Sequence, residues 1–221
     1  MPKAVISDVD GTLVDSNDLH ARCWLETFQH FGIDIPFERV RFQIGKGGDQ
    51  LLPALLDPSV LEKHGKAMED FRKDLFTRDY LSRVTPFPGV KALFERMRSE
   101  GLLIVLASSG TDAEVKHHTE LLGIGDLIAA ATTADDAESS KPEPDIFEAA
   151  LRKLPGVSAA EAVVIGDTPY DASAANKAGI PTIGVLCGGY PEKDLRDAGC
   201  IAIFRGPEHL LAEFDQSPLA R

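Results

Sequence analysis

Apolar residues recur along this chain in two rhythms. Residues 3–7 (Lys-Ala-Val-Ile-Ser) are a short β-branched run, the pattern of a strand buried in a parallel sheet. After Ser16 the spacing changes. Leu19, Cys23, Trp24, Phe28 and Phe31 fall on one helical face, and Gly32 is a natural stop. A second helical stretch follows Pro36, and a glycine-rich loop occupies residues 43–50. Residues 51–56 again read as helix. A longer helix covers residues 60–79, with Leu61, Met68, Phe71 and Leu75 as its buried stripe.

Nothing between Ser16 and Thr85 has the character of a parallel strand. From Phe87-Pro88-Gly89 onward, helix and strand alternate. Helices are expected at 90–100, 111–122, 144–154 and 170–178, with a weaker one at 192–198 and a last helical piece at 207–214. Strands are expected at 102–107, 127–131, 162–165, 182–185 and 201–204. Such alternation means βαβ units and an α/β fold on a parallel sheet. The all-helical block at 17–84 is then an insertion after the first strand, dividing the chain into a core of 1–16 plus 85–221 and a second, helical unit.

Chemistry gathers where the predicted strands end. Asp8 and Asp10 follow the first strand, and Gly11 lets the backbone turn sharply behind them. Pleating alone would send two acids at this spacing to opposite faces. Open α/β sheets bind ligands at the carboxyl ends of their strands, so Asp8 and Asp10 are placed at the centre of a site. Ser108, Ser109 and Gly110 end the next strand and precede a helix, an arrangement that cradles phosphate or simply caps the helix. Lys141 precedes a helix with Pro144 at its first turn, and by type alone it is an ordinary surface lysine. Asp167 and Asp171 follow a further strand and a glycine, where an acid is equally at home as a helix cap.

Composition narrows the classes. The chain has 221 residues, 43% of them hydrophobic, enough for a packed core. Lys and Arg number 23 against 35 Asp and Glu, a net charge of −12, and no basic patch offsets it. Nucleic acid is therefore excluded as a partner. The three cysteines, Cys23, Cys187 and Cys200, are widely spaced without a C-x-x-C pair, which predicts free thiols in a reducing cytoplasm and no zinc site. No leader-like segment or membrane-length apolar run is present, so a soluble, cytoplasmic monomer is the expectation.

Four stretches together resemble the motifs of the haloacid dehalogenase-like (HAD) hydrolases, in the family's order and across nearly the whole chain. They are Asp8-Val9-Asp10-Gly11-Thr12-Leu13, the strand ending at Ser108, Lys141-Pro142-Glu143-Pro144-Asp145-Ile146-Phe147, and Gly166-Asp167-Thr168-Pro169-Tyr170-Asp171. The resemblance implies a Rossmann-like core and a helical cap at 17–84, hinged at 15–17 and 85–88. It also implies Mg2+-dependent hydrolysis of a small phosphorylated metabolite. Asp8 would be the nucleophile, forming an aspartyl phosphate, and Asp10 the general acid and base. Lys141 would sit beside the transferring phosphoryl group, and Gly11, Thr12, Ser108 and Ser109 would hold the phosphate. Asp8, Asp167 and the Asp10 carbonyl would ligate the metal, with Asp171 behind them, and Thr12 would orient Asp10 or the phosphate loop.

Such chemistry needs cations. Each pair of like unit charges ~4 Å apart repels by ~4 kcal/mol at an effective dielectric of ~20. Hard carboxylate oxygens suit Mg2+, and phosphoryl transfer depends mostly on positioning and electrostatic stabilisation. Substrate selection falls to the cap, where His20 and the loop carrying Lys46 and Gly47 are the candidates. That loop is neither a Walker A motif nor a dinucleotide fingerprint. His117 and His118 read as structural. A β-phosphoglucomutase-like enzyme is the nearest rival, although Gly166 stands where such mutases tend to carry Glu. Dehalogenases are disfavoured by Asp10. A receiver-type phosphoryl switch is disfavoured by the insertion and by that same acid.

Overall fold

The computed structural model describes residues 2–220. In chain order, its core opens with β1 (Ala4–Ser7) and β2 (Val14–Asp15). The helical insertion follows: α1 (Asn17–His30), α2 (Phe37–Arg41), α3 (Gly48–Leu55) and α4 (Pro58–Leu75). Then come β3 (Thr85–Pro86), α5 (Val90–Ser99), β4 (Leu103–Ala107), α6 (Asp112–Leu122), β5 (Ala130–Thr132) and α7 (Asp145–Arg152). The chain closes with β6 (Ala162–Gly166), α8 (Pro169–Lys177), β7 (Thr182–Val185), α9 (Glu192–Asp197), β8 (Ala202–Phe204) and α10 (Pro207–Ala212).

Six strands form one sheet in the order β5-β4-β1-β6-β7-β8, each pair parallel. The β1 strand lies in its middle, with Val5 beside Ile104 on one flank and Val163 on the other. Strand periodicity sends alternate residues to opposite faces. Ala4 and Ile6 pack with Phe147 of α7 and Ala174 and Ala175 of α8. Val5 packs on the other side with Phe94 and Met97 of α5 and Leu210 of α10. The sheet is thus covered on both faces, as an all-parallel sheet requires. The chain runs outward from β1 through β4 to β5 and then crosses to β6 on the other side of β1. The crevice at the carboxyl end of β1 is therefore where a ligand fits.

The insertion has an apolar core of its own around Trp24, Phe28, Val40, Leu51 and Met68. Its base, with Cys23, Leu75, Phe76 and Tyr80, is continuous with the sheet's core. The two-residue strands β2 and β3 pair antiparallel at the junction, Asp15 opposite Thr85. They are too short to leave a periodic signal and were not expected. The long helix starts at Pro58, and Leu75 passes into a π-helical turn at Phe76–Tyr80 instead of continuing as α-helix. The strand expected at 127–131 forms at Ala130–Thr132, because Leu127 closes a 3-10 turn. Cys23, Cys187 and Cys200 are free thiols. Among the described residues, no helix is long and apolar enough to cross a membrane.

Candidate active site

The β1 strand ends at Ser7, and the Asp8 N–H still bonds to the Ile165 carbonyl of β6 at 2.9 Å. The backbone then turns, with Gly11 at φ 80°, a conformation that favours glycine. This turn resolves the pleating problem: Asp8 and Asp10 line one cavity. Gly11 could not carry a side chain for a second reason. A Cβ there would lie 2.2 Å from Asn17 Nδ2 and 2.4 Å from Asp167 Oδ2.

Asp8, Asp167 and Asp171 offer carboxylate oxygens within 4.8 Å of one another. Lys141, 1% exposed, lies among them, with Nζ 2.5 Å from Asp8 and 2.8 Å from Asp171. One buried ammonium faces three buried carboxylates, and the balance shows in their proton affinities. Burial pushes the Asp8 carboxyl up to about 7 against the pull of Lys141, with Asp171 and Asp10 adding like-charge repulsion. Asp167 is raised well above its ordinary range, by burial first and then by Asp171 and Asp8. Burial opposes the charge on Lys141, but the two carboxylates overcome it and hold the ammonium protonated. A divalent cation with a taste for hard oxygen ligands fits this cluster in charge and in donor type.

Asp10 is turned the other way. Its Oδ1 accepts from Ser16 Oγ at 2.6 Å and from His20 Nε2 at 2.9 Å. Burial works to raise this carboxyl, but His20, His118 and Ser16 outweigh it and hold the group well below the usual carboxylate range. Arg72 meets His20 Nδ1 at 2.5 Å. A guanidinium only donates, so Nδ1 accepts and the proton sits on Nε2, aimed at Asp10. His20 also stacks on Phe76, centroids 4.1 Å apart. Arg72 and His118 were not singled out by sequence reasoning as site residues. The fully buried His118 ring, expected to be structural, approaches Asp10 Oδ1 at 3.7 Å.

The other expected residues also meet here, with differences. Thr12 Oγ1 lies 3.0 Å from Asp8 Oδ2 and 3.1 Å from Asp167 Oδ1, with one hydroxyl proton shared between them, so it is aligned with the acid cluster and not with Asp10. Ser108 Oγ accepts from the Gly110 N–H at 3.0 Å, while Ser109 and Gly110 border the cavity. Asp171, expected as a helix cap or as a residue behind the metal ligands, completes the capping box of α8 with Thr168, and it also lies in the acid cluster itself, paired with Lys141. Lys46 borders the cavity, yet its Nζ bonds Gln43 at 2.7 Å and lies 4.6 Å from the Tyr170 ring centroid. The Gly47 N–H donates to Ser140 Oγ at 2.9 Å, beside Lys141. The cavity, open to solvent on one side, measures about 90 Å³ and is walled on the insertion side by His20, Trp24, Ile44, Lys46 and Arg72.

One further segment escaped sequence reasoning. The loop after β7 lays Gly188 directly on Asp167, so that a Cβ there would fall 1.8 Å from Oδ2. Its only sequence signal is the Gly188-Gly189 pair after a predicted strand. Asp167 has little room to yield, because Asn17 and Thr12 hold its two oxygens. Gly188→Ala should therefore leave the secondary structure intact by circular dichroism, and any divalent ion that the acid cluster holds should bind at least ~10-fold more weakly by calorimetric titration.

The haloacid dehalogenase-like hydrolase family profile matches residues 5–185. A phosphoglycolate phosphatase from Rhodospirillum rubrum is 28% identical over 218 residues, covering 92% of this chain and 87% of that one. A phosphoglycolate phosphatase from Yersinia pseudotuberculosis is 33% identical over 191 residues, covering 84% and 82%. Among solved structures, a hydrolase from Pseudomonas syringae superposes with a TM-score of 0.89 at 28% identity, covering 97% of this chain and 98% of that one. A beta-phosphoglucomutase candidate from Bacteroides vulgatus gives 0.86 at 25%, covering 100% and 91%. With the fold, the motif residues and these likenesses in agreement, the chain belongs to the haloacid dehalogenase-like hydrolases and is an enzyme of that family's phosphatase class.

Proposed function

We propose that the protein hydrolyses a small phosphomonoester through a phosphoryl group carried on Asp8, with a divalent cation, Mg2+ in the first instance, held by Asp8, Asp167 and the Asp10 backbone. The observation that carries this reading is the buried cluster of three carboxylates around one lysine, beside a fourth acid turned into the same cavity. Bound there, the cation would offset negative charge on the carboxylates and on the substrate phosphate.

The protein's own groups divide the work. A carboxylate oxygen of Asp8 attacks phosphorus, the bond to the substrate oxygen breaks, and the leaving alkoxide takes a proton from Asp10. Asp10 is ionised in the free site, where His20 and Ser16 favour its charge, and it must take up a solvent proton as the substrate dianion docks beside it and raises its proton affinity. Water then attacks the phosphoryl group on Asp8 and gives a proton to Asp10, releasing phosphate and restoring both acids. Ser16 and His20 keep Asp10 aimed by holding one of its oxygens. Lys141 remains charged throughout and stabilises the transferring group, while the loop of Ser108, Ser109 and Gly110 contributes phosphate donors.

The helical insertion at 17–84 serves as a cap, and the cavity beneath it, walled by His20, Trp24 and Arg72, would receive the leaving group. Relatives named as phosphoglycolate phosphatases favour a small phosphomonoester as the first substrate to test. The test is phosphate release from a panel of phosphomonoesters, phosphoglycolate and glucose 1-phosphate included, with Mg2+ and with chelator. Mg2+-dependent release from small members is expected. Isomerisation of the sugar phosphate with little free phosphate would instead make the protein a mutase.

A further inference from the structure

Asn17 is the first residue of α1, hence of the cap, yet its side chain lies in the core, 2% exposed. Its Nδ2 donates to Asp167 Oδ2 at 2.8 Å and to the Gly188 carbonyl at 3.0 Å. The Gly188 carbonyl is an acceptor only, so the amide must present its NH2 end to this side. Oδ1 is then directed elsewhere. It is buried and has no hydrogen-bond partner among the described residues. A buried amide oxygen left unsatisfied is costly, so the two bonds of the NH2 end must hold the side chain in this place. Thr12 meanwhile fixes the other Asp167 oxygen.

We propose that Asn17 is a positioning residue for the metal centre. Its NH2 group sets the orientation of Asp167, whose other oxygen lies against Thr12. Partners that orient metal ligands typically change affinity by ~10–100-fold. Because Asn17 belongs to the cap, the affinity of the core for its ion depends on a side chain supplied by the insertion. The proposal rests on the divalent-metal reading above, and its test separates the two.

The experiment is calorimetric titration of the full-length protein with Mg2+ at pH 8, in the absence of substrate, for wild type, Asn17→Ala and Asn17→Ser. Circular dichroism of each metal-free protein reports folding. The serine variant retains a short donor and guards against misfolding of the alanine variant. Expected is ~10–100-fold weaker binding for alanine and an intermediate loss for serine, on an unchanged spectrum. Wild-type binding with an alanine variant within twofold of it overturns the role of Asn17 alone. No binding to wild type overturns the metal reading, and the role of Asn17 with it.

Discussion

Asp8→Asn is expected to lower phosphate release by at least ~10⁴-fold, the scale on which covalent catalysts fail when the nucleophile is removed. An amide cannot attack phosphorus usefully, and no other carboxylate can replace it. Asp10 is tied to Ser16 and His20, Asp167 to Asn17 and Thr12, and Asp171 to Thr168 and Lys141. The fold should survive the change. Breaking a buried ion pair ordinarily costs several kcal/mol because one charge is left alone, about 3–5 by general experience. Here Lys141 keeps Asp171 at 2.8 Å, and the substitution also removes a carboxylate that burial disfavours. Metal-free Tm within a few degrees of wild type, combined with abolished turnover, is the predicted result. Near-full activity would remove Asp8 from the chemistry.

Divalent-ion dependence should be the second large effect, and pH gives it a sign. The metal-free folded protein holds Asp8 at about 7, against an ordinary value of 3.8. Between those values the native state binds more protons than the unfolded chain, so stability falls as pH rises through the window and levels off above about 7. Asp167 shifts in the same direction. An added cation competes with those protons and relieves the repulsion. The difference in Tm between Mg2+-loaded and chelated protein should therefore grow from pH 5 to pH 7. At ~100 times its dissociation constant the ion adds ~2.7 kcal/mol, or on the order of 5–10 °C for a chain of this size. Chelator should abolish phosphate release at every pH. A Tm difference that shrinks with rising pH would contradict the charge imbalance described here.

Why some of this was legible in sequence and some not follows from range. Asp8, Asp10, Lys141 and Asp167 each sit in a short local pattern of strand, turn and helix start, and such patterns survive in one dimension. The parallel sheet was legible for the same reason, since strands buried on both faces read as continuous apolar runs. Asn17, Arg72, His118 and Gly188 carry no such signature. Each matters through a contact made across the fold: Asn17 with Asp167 150 positions away, and Arg72 with His20 52 positions away. His118 looks like any mid-helix histidine until the fold brings its ring to 3.7 Å from Asp10. Gly188 shows only as part of a glycine pair, and nothing in the sequence says that Asp167 presses against it. The β2–β3 pair lies below the length at which alternation can be read.

The loop at residues 42–49 is fastened to the core on two sides. Tyr170 and Tyr190 donate to the carbonyls of Phe42 and Ile44, while Ser140 holds Gly47 and Asp49. A leaving group that fits beneath the loop leaves all these bonds intact, and one that does not must break several of them at once. Discrimination would then register as a time penalty: an oversized phosphate ester could still dock its phosphate, but the fastened state would be visited too briefly for attack. Poor substrates of this enzyme should consequently differ from good ones in kcat more than in KM.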